Sequence, residues 1–259
     1  MTTPHSVDIA WQDGLATLTY HDPRLNVLHS AGLEDLIRAL LDLAARQDLR
    51  LLVFTGGGER AFIGGADIGE MATLNADSAL TFIGKVHQVC HLLRTLPVPS
   101  IARVQGYCLG AGMEVAAACD LRIGSTESHY GMPEVQVGLP SVVEAALLPS
   151  LIGWGRTREL LYTGRMIGAE EAAAMGFLQT TAPPAGLDAA MAPWVEAILA
   201  AEPGAIRAQK RLIEGWLDHG VPAGVRAGMD AFAASFQTDA PNQRLAAFQN
   251  RKRGGKGSK

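Results

Sequence analysis

The residues of this sequence best suited to chemistry are two glutamates and two glycine-rich bends. One bend, Gly106-Tyr107-Cys108-Leu109-Gly110-Ala111-Gly112-Met113, runs directly into Glu114. The apolar run before it, residues 99–104, reads as a buried strand, and the small apolar residues 115–120 after it read as a packed helix. The expected order is strand, glycine-rich turn, first turn of a helix. Such a helix start offers unpaired backbone N–H groups and partial positive charge to an oxygen anion. Its glycines let a ligand approach the backbone closely. Glu114 projects from that same turn, so an oxyanion site would lie beside a potential general base. Two plainer readings stay open. Gly110-x-Gly112 could be half of a dinucleotide fingerprint, although Val115 stands where its third glycine belongs. It could also be a tight turn, with Glu114 a solvated acid that suits the helix dipole.

The second glutamate, Glu134, sits among apolar neighbours after His129-Tyr130-Gly131-Met132-Pro133. Pro133 biases Met132 towards an extended conformation, and a carboxylate in such a setting generally has a task or a partner. The other bend is Ala61-Phe62-Ile63-Gly64-Gly65-Ala66-Asp67-Ile68. Its plain reading is a loop with Asp67 as a turn or cap acid. His87 and His91 stand four apart on an expected helix over residues 76–96, a spacing that could share a metal ion. No third ligand is near in sequence, so no metal is expected. Cys90, Cys108 and Cys119 form an odd set without metal-ligand spacing, which suggests reduced, buried thiols. A nucleophilic Cys108 is the minor alternative. Glu144 opens a short expected helix over residues 142–148, either as an N-terminal acid or as a third carboxylate.

The elements that must position these groups alternate strand and helix. Residues 7–11 and 15–20 predict a hairpin about Asp13-Gly14. Ser30 is expected to cap an amphipathic helix to about residue 46, with Leu33, Leu36, Ile37, Leu40 and Leu41 on one face. Residues 51–55 form a short apolar strand of the kind buried on both faces, ended by three glycines, and residues 121–125 form another. This α/β alternation implies right-handed crossovers in a largely parallel sheet. The helix over 142–148 is expected to stop before Pro149. Beyond it the chain reads as mostly helical, over 157–161, 169–175, 187–201, 205–219, 224–238 and 242–251. Pro183-Pro184, Pro203 and Pro222 are taken as punctuation. The basic stretch 251–259 reads as a frayed, solvated tail.

The 259 residues, 48% hydrophobic and 19% charged, suffice for one sizeable core with a small appended helical unit. A net charge of −4 argues against a nucleic-acid partner. No apolar run reaches the ~20 residues that span a bilayer, and the first residues carry no leader pattern. No membrane association and a cytoplasmic location are therefore expected.

Together, the block Ala61 to Ile68, the block Gly106 to Asp120, and Gly131-Met132-Pro133-Glu134 with Gly138-Leu139-Pro140 resemble the crotonase (enoyl-CoA hydratase/isomerase) family, from Asn26 to about Arg251. The resemblance implies a crotonase (ClpP-like) fold of repeated β-β-α units with a C-terminal helical region. It divides the chain into a core over residues 1–197 and a helical trimerisation region over 198–259, assembled as a homotrimer or homohexamer. It implies an acyl-CoA thioester substrate, as in fatty-acid metabolism, with coenzyme A as part of the substrate and no separate cofactor. By family position, Ala66 and Ala111 would supply the N–H groups of an oxyanion hole, Glu114 would activate water, and Glu134 would deliver a proton. Ala61, Phe62, Gly64, Gly65, Asp67, Ile68, Gly110, Gly112, Pro133, Ser141 and Arg251 would contact the acyl-CoA. Losing one oxyanion donor typically costs ~3–4 kcal/mol of barrier lowering. Relatives that only shift the double bond often lack the first glutamate, so hydration is the expected reaction. A Δ3-Δ2-enoyl-CoA isomerase is the alternative, and a non-catalytic scaffold or RNA-binding member a more distant one. The sequence departs from the family pattern where Gly69 replaces a lysine near the nucleotide, and where Pro140-Ser141-Val142-Val143-Glu144 replaces a glycine-rich run. Bulk and a third carboxylate would thus enter the acyl end of the pocket.

Overall fold

The computed structural model describes residues 5–254, with side chains as far as Asn250. It opens on the hairpin β1 (Ser6–Gln12) and β2 (Leu15–His21). Asp13 and Gly14 both have positive φ, 48° and 85°, which is the twist a two-residue hairpin loop requires. Helix α1 (Ser30–Ala45) buries Leu33, Leu36, Leu40 and Leu43. Its cap is His29 rather than the expected Ser30: the His29 ring nitrogen accepts the Gly32 N–H, and Ser30 is already the first helical residue. After β3 (Leu51–Gly56) and β4 (Ala61–Ile63) come the short α2 (Ile68–Met71) and the long α3 (Ala76–Thr95). The next unit is β5 (Ser100–Val104), β6 (Tyr107–Leu109) and α4 (Ala111–Ala118), followed by β7 (Leu121–Ser125) and β8 (His129–Gly131). Residues 106–110 are therefore not a simple turn. Tyr107 to Leu109 form a strand of a second sheet.

Two sheets result. The larger has the order β1-β2-β3-β5-β7-β10, all parallel except β1, and the smaller has the order β4-β6-β8-β9. Each pair β3/β4, β5/β6 and β7/β8 gives one strand to each sheet. Along β3, Leu52 and Phe54 enter the core shared with α1, α3 and α4, while Leu51 and Val53 pack on the opposite face with Leu187 and Met191. Burial on both faces explains the unbroken apolar run.

The chain then passes through the 3₁₀ turns Pro133–Val137 and Val143–Leu147 into α5 (Leu148–Thr163), β9 (Met166–Gly168), α6 (Ala169–Ala174), β10 (Thr180–Ala182) and α7 (Leu187–Ala200). Both short strands were unforeseen in a stretch that reads as mostly helical. Pro149 does not end a helix. It lies in the first turn of α5, where its missing N–H would have no intrahelical partner in any case. The compact unit that holds these elements ends at Leu199.

The second unit begins at Ala200 and carries α8 (Pro203–Asp218), α9 (Val221–Ser235) and α10 (Ala240–Gly254). Pro203 and Pro222 again open helices instead of separating them. Val221, Val225, Met229, Phe232 and Phe236 recur at helical spacing along α9 and its C-cap and are exposed. Residues 255–259, the end of the basic tail, lie outside the described residues. Among the described residues no helix is long and apolar enough to cross a membrane.

Candidate active site

The small sheet aims two backbone corners into one cavity. At the first, β4 ends in Gly64 and Gly65, and Gly65 takes φ 118°, which a side chain would resist. A parallel bridge to Leu28 then fixes Ala66: the Leu28 N–H donates to Gly65 O, and the Asp67 N–H donates to Leu28 O, each at 2.8 Å. At the second, β6 ends in Gly110, at φ 53°, and α4 starts at Ala111. Among the described residues, neither the Ala66 nor the Ala111 N–H is taken by a hydrogen bond, and both residues line the cavity. The second is free because the first N–H groups of a helix have no partner within it.

The two glutamates join them. Glu114, in the first turn of α4, is only 3% exposed yet lines the cavity. Its carboxyl is pushed up to about 8, first by burial and then by the Glu134 and Glu144 carboxylates, against the pull of the Ala145 and Val142 amides. Glu134 stands half-buried on the 3₁₀ turn Pro133–Val137. Its Oε2 accepts from Ser141 Oγ at 2.7 Å, and its Oε1 lies over the bare Cα of Gly110. The cavity measures about 780 Å³, and Gly64, Gly65, Ile68, Gly110 and Pro133 also line it. The rest of its wall is largely apolar, with Met71, Leu74, Phe82, Ile83 and Val86 on one side and Val137, Leu139 and Val142 on the other. Among these lining residues there is no Lys, Arg or His.

Several residues assigned to substrate contact lie elsewhere. Ala61 and Phe62 are core, and the Phe62 ring meets Phe54 edge-on at 5.4 Å. Gly112 is a packing glycine, since a Cβ there would collide with the Ile63 carbonyl. Asp67 caps α2 through the Gly69 and Glu70 N–H groups and pairs with Arg24 at 2.6 Å. Against the cost of its burial, the Glu70 amide, Arg24 and the Gly69 amide hold its carboxyl below the usual range. Ser141 serves Glu134 and is not part of the cavity wall. Arg251 falls on α10, but its side chain lies outside those described. Cys108 is fully buried, and burial pushes its thiol well up, so it is no nucleophile.

The sequence reading missed the apolar wall. Phe82, Ile83 and Val86 carry an ordinary helical core spacing, which does not distinguish a core from a cavity lining. The pairing of His87 with Glu144 was also missed. His87 Nδ1 lies 2.9 Å from Glu144 Oε1, with Glu144 only 4% exposed. No group of three or more His, Cys, Asp or Glu among the described residues is placed to hold a metal ion.

Comparison with known proteins agrees with this architecture. The family model described as "Enoyl-CoA hydratase/isomerase" matches residues 10–254. The crotonyl-CoA hydratase of Syntrophomonas wolfei is 30% identical, over 93% of this chain and 94% of its own. The short-chain-enoyl-CoA hydratase of Clostridium acetobutylicum is 29% identical, over 90% of each chain. The crystal structure of enoyl-CoA hydratase from Bacillus anthracis superposes with a TM-score of 0.90 at 28% identity, covering 95% of this chain and 96% of that one. The chain belongs to the enoyl-CoA hydratase/isomerase family and has the crotonase fold.

Proposed function

We propose that this protein is an enoyl-CoA hydratase, adding water syn across the 2,3 double bond of a 2-trans-enoyl-CoA to give the 3-hydroxyacyl-CoA. The observation that carries this reading is the convergence of two unpaired backbone N–H groups and two glutamates on one largely apolar cavity. The thioester carbonyl oxygen would lie against the Ala66 and Ala111 N–H groups, which favour the charge that gathers there as water adds at C3. Glu114 would take the proton of that water, and Glu134 would deliver a proton to C2. The two carboxylates then share one proton across the cycle. Coenzyme A enters as part of the substrate, and the scheme requires no metal or separate cofactor.

The elevated pKa of Glu114 favours a second reading. A carboxyl that holds its proton near neutrality is poorly suited to be a base, whereas Glu134 alone could move a proton between C2 and C4 of a 3-enoyl-CoA. Loss of conjugated enoyl-thioester absorbance, measured with Glu114→Gln and Glu134→Gln variants, separates the two. Hydration abolished by both substitutions supports the first reading. Isomerisation that persists without Glu114, with no hydration in the parent protein, supports the second.

The family also leads us to expect a homotrimer or homohexamer built through the C-terminal helices. The exposed apolar stripe of α9 supports that expectation. Sedimentation of the protein with Met229→Glu and Phe232→Glu tests it, the expected result being a shift to monomer.

A further inference from the structure

Glu144 is a buried carboxylate that the scheme above does not use. It sits on the 3₁₀ turn Val143–Leu147, with 4% of its surface exposed. Its Oε1 meets His87 Nδ1 at 2.9 Å, while its Oε2 has no hydrogen-bond partner. A carboxylate placed this way is costly to keep ionised unless a cationic or donor group compensates it. His87 meets it with a hydrogen bond, the buried Cys90 thiol of α3 also bonds to it, and the His87 ring is 53% exposed and so in contact with water. The backbone beside Glu144 is strained. Val143, a β-branched residue, takes φ 37°, a conformation that persists only when its surroundings enforce it. The same turn brings the Val142 and Ala145 amides to bear on the Glu114 carboxyl.

We propose that Glu144 and His87 form a positioning pair for Glu114: His87 compensates the buried Glu144, and the Glu144 charge governs when Glu114 releases its proton. The inference rests on the reading of Glu114 as the water-activating group. On α3 the His91 ring lies 5.8 Å from the His87 ring, and the other groups around the pair are few or engaged. Glu134 approaches Glu114 from its own turn, and the buried Cys90 thiol on α3 lies within electrostatic reach of both Glu114 and Glu144. Lys85 on α3 is turned to Glu34. From β6 come buried Cys108 and exposed Tyr107, and β4 brings no titratable side chain. Arg122 binds the Ala116 and Cys119 carbonyls near the far end of α4. On α5, Arg156 pairs with Glu159, and Arg158 lies over Trp154.

The pair has a distinctive thermodynamic signature. Replacing Glu144 removes a negative charge beside Glu114, so Glu114 ionises at lower pH. Replacing His87 leaves the buried Glu144 without the partner that compensates its charge, and Glu114 again ionises at lower pH. Once Glu144 is gone, His87 has nothing left to hold.

The test is titration of the glutamate side-chain carboxyls by carbon NMR in the parent protein, in Glu144→Gln, in His87→Ala and in the double variant. The Glu114 signal is assigned by its loss in Glu114→Gln. The expected result is a downward move of the Glu114 midpoint by about one pH unit in each single variant, with no further move in the double variant. A midpoint unmoved in either single variant, or additive moves in the double variant, overturns the proposal. Melting curves identify a misfolded Glu144 variant, and in that event exposed His87→Ala alone decides. The pH profile of kcat/KM on an enoyl-CoA separates this inference from the functional reading. Midpoints that move as expected in a protein inactive on every enoyl thioester overturn the hydratase and leave the pair. Activity with unmoved midpoints does the reverse.

Discussion

Ser141 Oγ donates a 2.7 Å hydrogen bond to Glu134 Oε2, seven positions before it in the sequence, across a loop that includes the left-handed Gly138. This bond holds the half-buried carboxylate over the cavity while leaving its other oxygen above Gly110. A hydrogen bond to a charged group is worth roughly 1.5–3 kcal/mol, and here it orients a group proposed to touch the substrate. Ser141→Ala is therefore expected to lower kcat about tenfold or more with little change in KM. Steady-state kinetics on the best enoyl-CoA checks this. An unchanged kcat would remove Ser141 from the machinery.

Gly110 offers a second, steric handle on the same carboxylate. A Cβ at this position would lie 2.5 Å from Glu134 Oε1, and the backbone at φ 53°, ψ −121° is itself a glycine conformation. The clash is with the end of a side chain, so Glu134 can swing away, whereas the backbone strain of about 1–3 kcal/mol cannot be relieved so simply. Gly110→Ala should fold with a lowered melting temperature and lose activity by at least about a hundredfold. Retention of near-parental kcat would mean that the position of Glu134 does not matter.

The hairpin, the strand–helix alternation and the two glycine-rich bends were legible because each rests on local signals: turn chemistry, alternation, apolar runs. Three kinds of feature were not. Short strands such as β6 and β9 have three residues and exist only because neighbouring strands pair with them, as Tyr107 does with His129. Prolines 149, 203 and 222 read as breaks, although the first turn of a helix tolerates proline as readily as a loop does. Asp67 and Ser141 belong to the right neighbourhood, but the capping bonds of one and the carboxylate partner of the other depend on tertiary placement. The same holds for Glu144, whose pairing with His87 spans 57 positions of sequence.

Glu114 also leaves a mark on stability. Its folded pKa is raised from the usual 4.5 to about 8, so between those values the folded protein binds a proton that the unfolded chain has released. The stabilisation that protonation supplies is complete below pH 4.5 and is lost as pH rises through about 8. Glu114→Gln, which is neutral at every pH, should match the parent in acid and melt at a higher temperature at pH 8 to 9. The activity limb runs the opposite way. If Glu114 must be ionised to activate water, kcat/KM rises with pH up to about 8. Melting temperatures of the two proteins that stay parallel from pH 5 to 9 would show that Glu114 ionises normally.

The cavity wall constrains the acyl group. At about 780 Å³ it is several times larger than a four-carbon acyl chain needs, and beyond the two glutamates its walls are mostly aliphatic and aromatic. Each CH₂ buried there contributes about 0.8 kcal/mol, so two added carbons should raise kcat/KM by roughly tenfold until the space is filled. An acyl chain ending in a carboxylate should be rejected, since no lining side chain is cationic and the largely apolar wall offers it no counter-charge. Medium-chain or branched apolar 2-enoyl-CoA thioesters are thus expected to outrun crotonyl-CoA and any dicarboxylic analogue. Ile83 lines the cavity from α3 and is only partly buried, so Ile83→Phe should shorten the preferred chain without unfolding the protein. A substrate series measured on both proteins checks the two expectations together. A parent protein fastest on crotonyl-CoA, or a preference unmoved by Ile83→Phe, would show that the acyl chain lies outside this cavity.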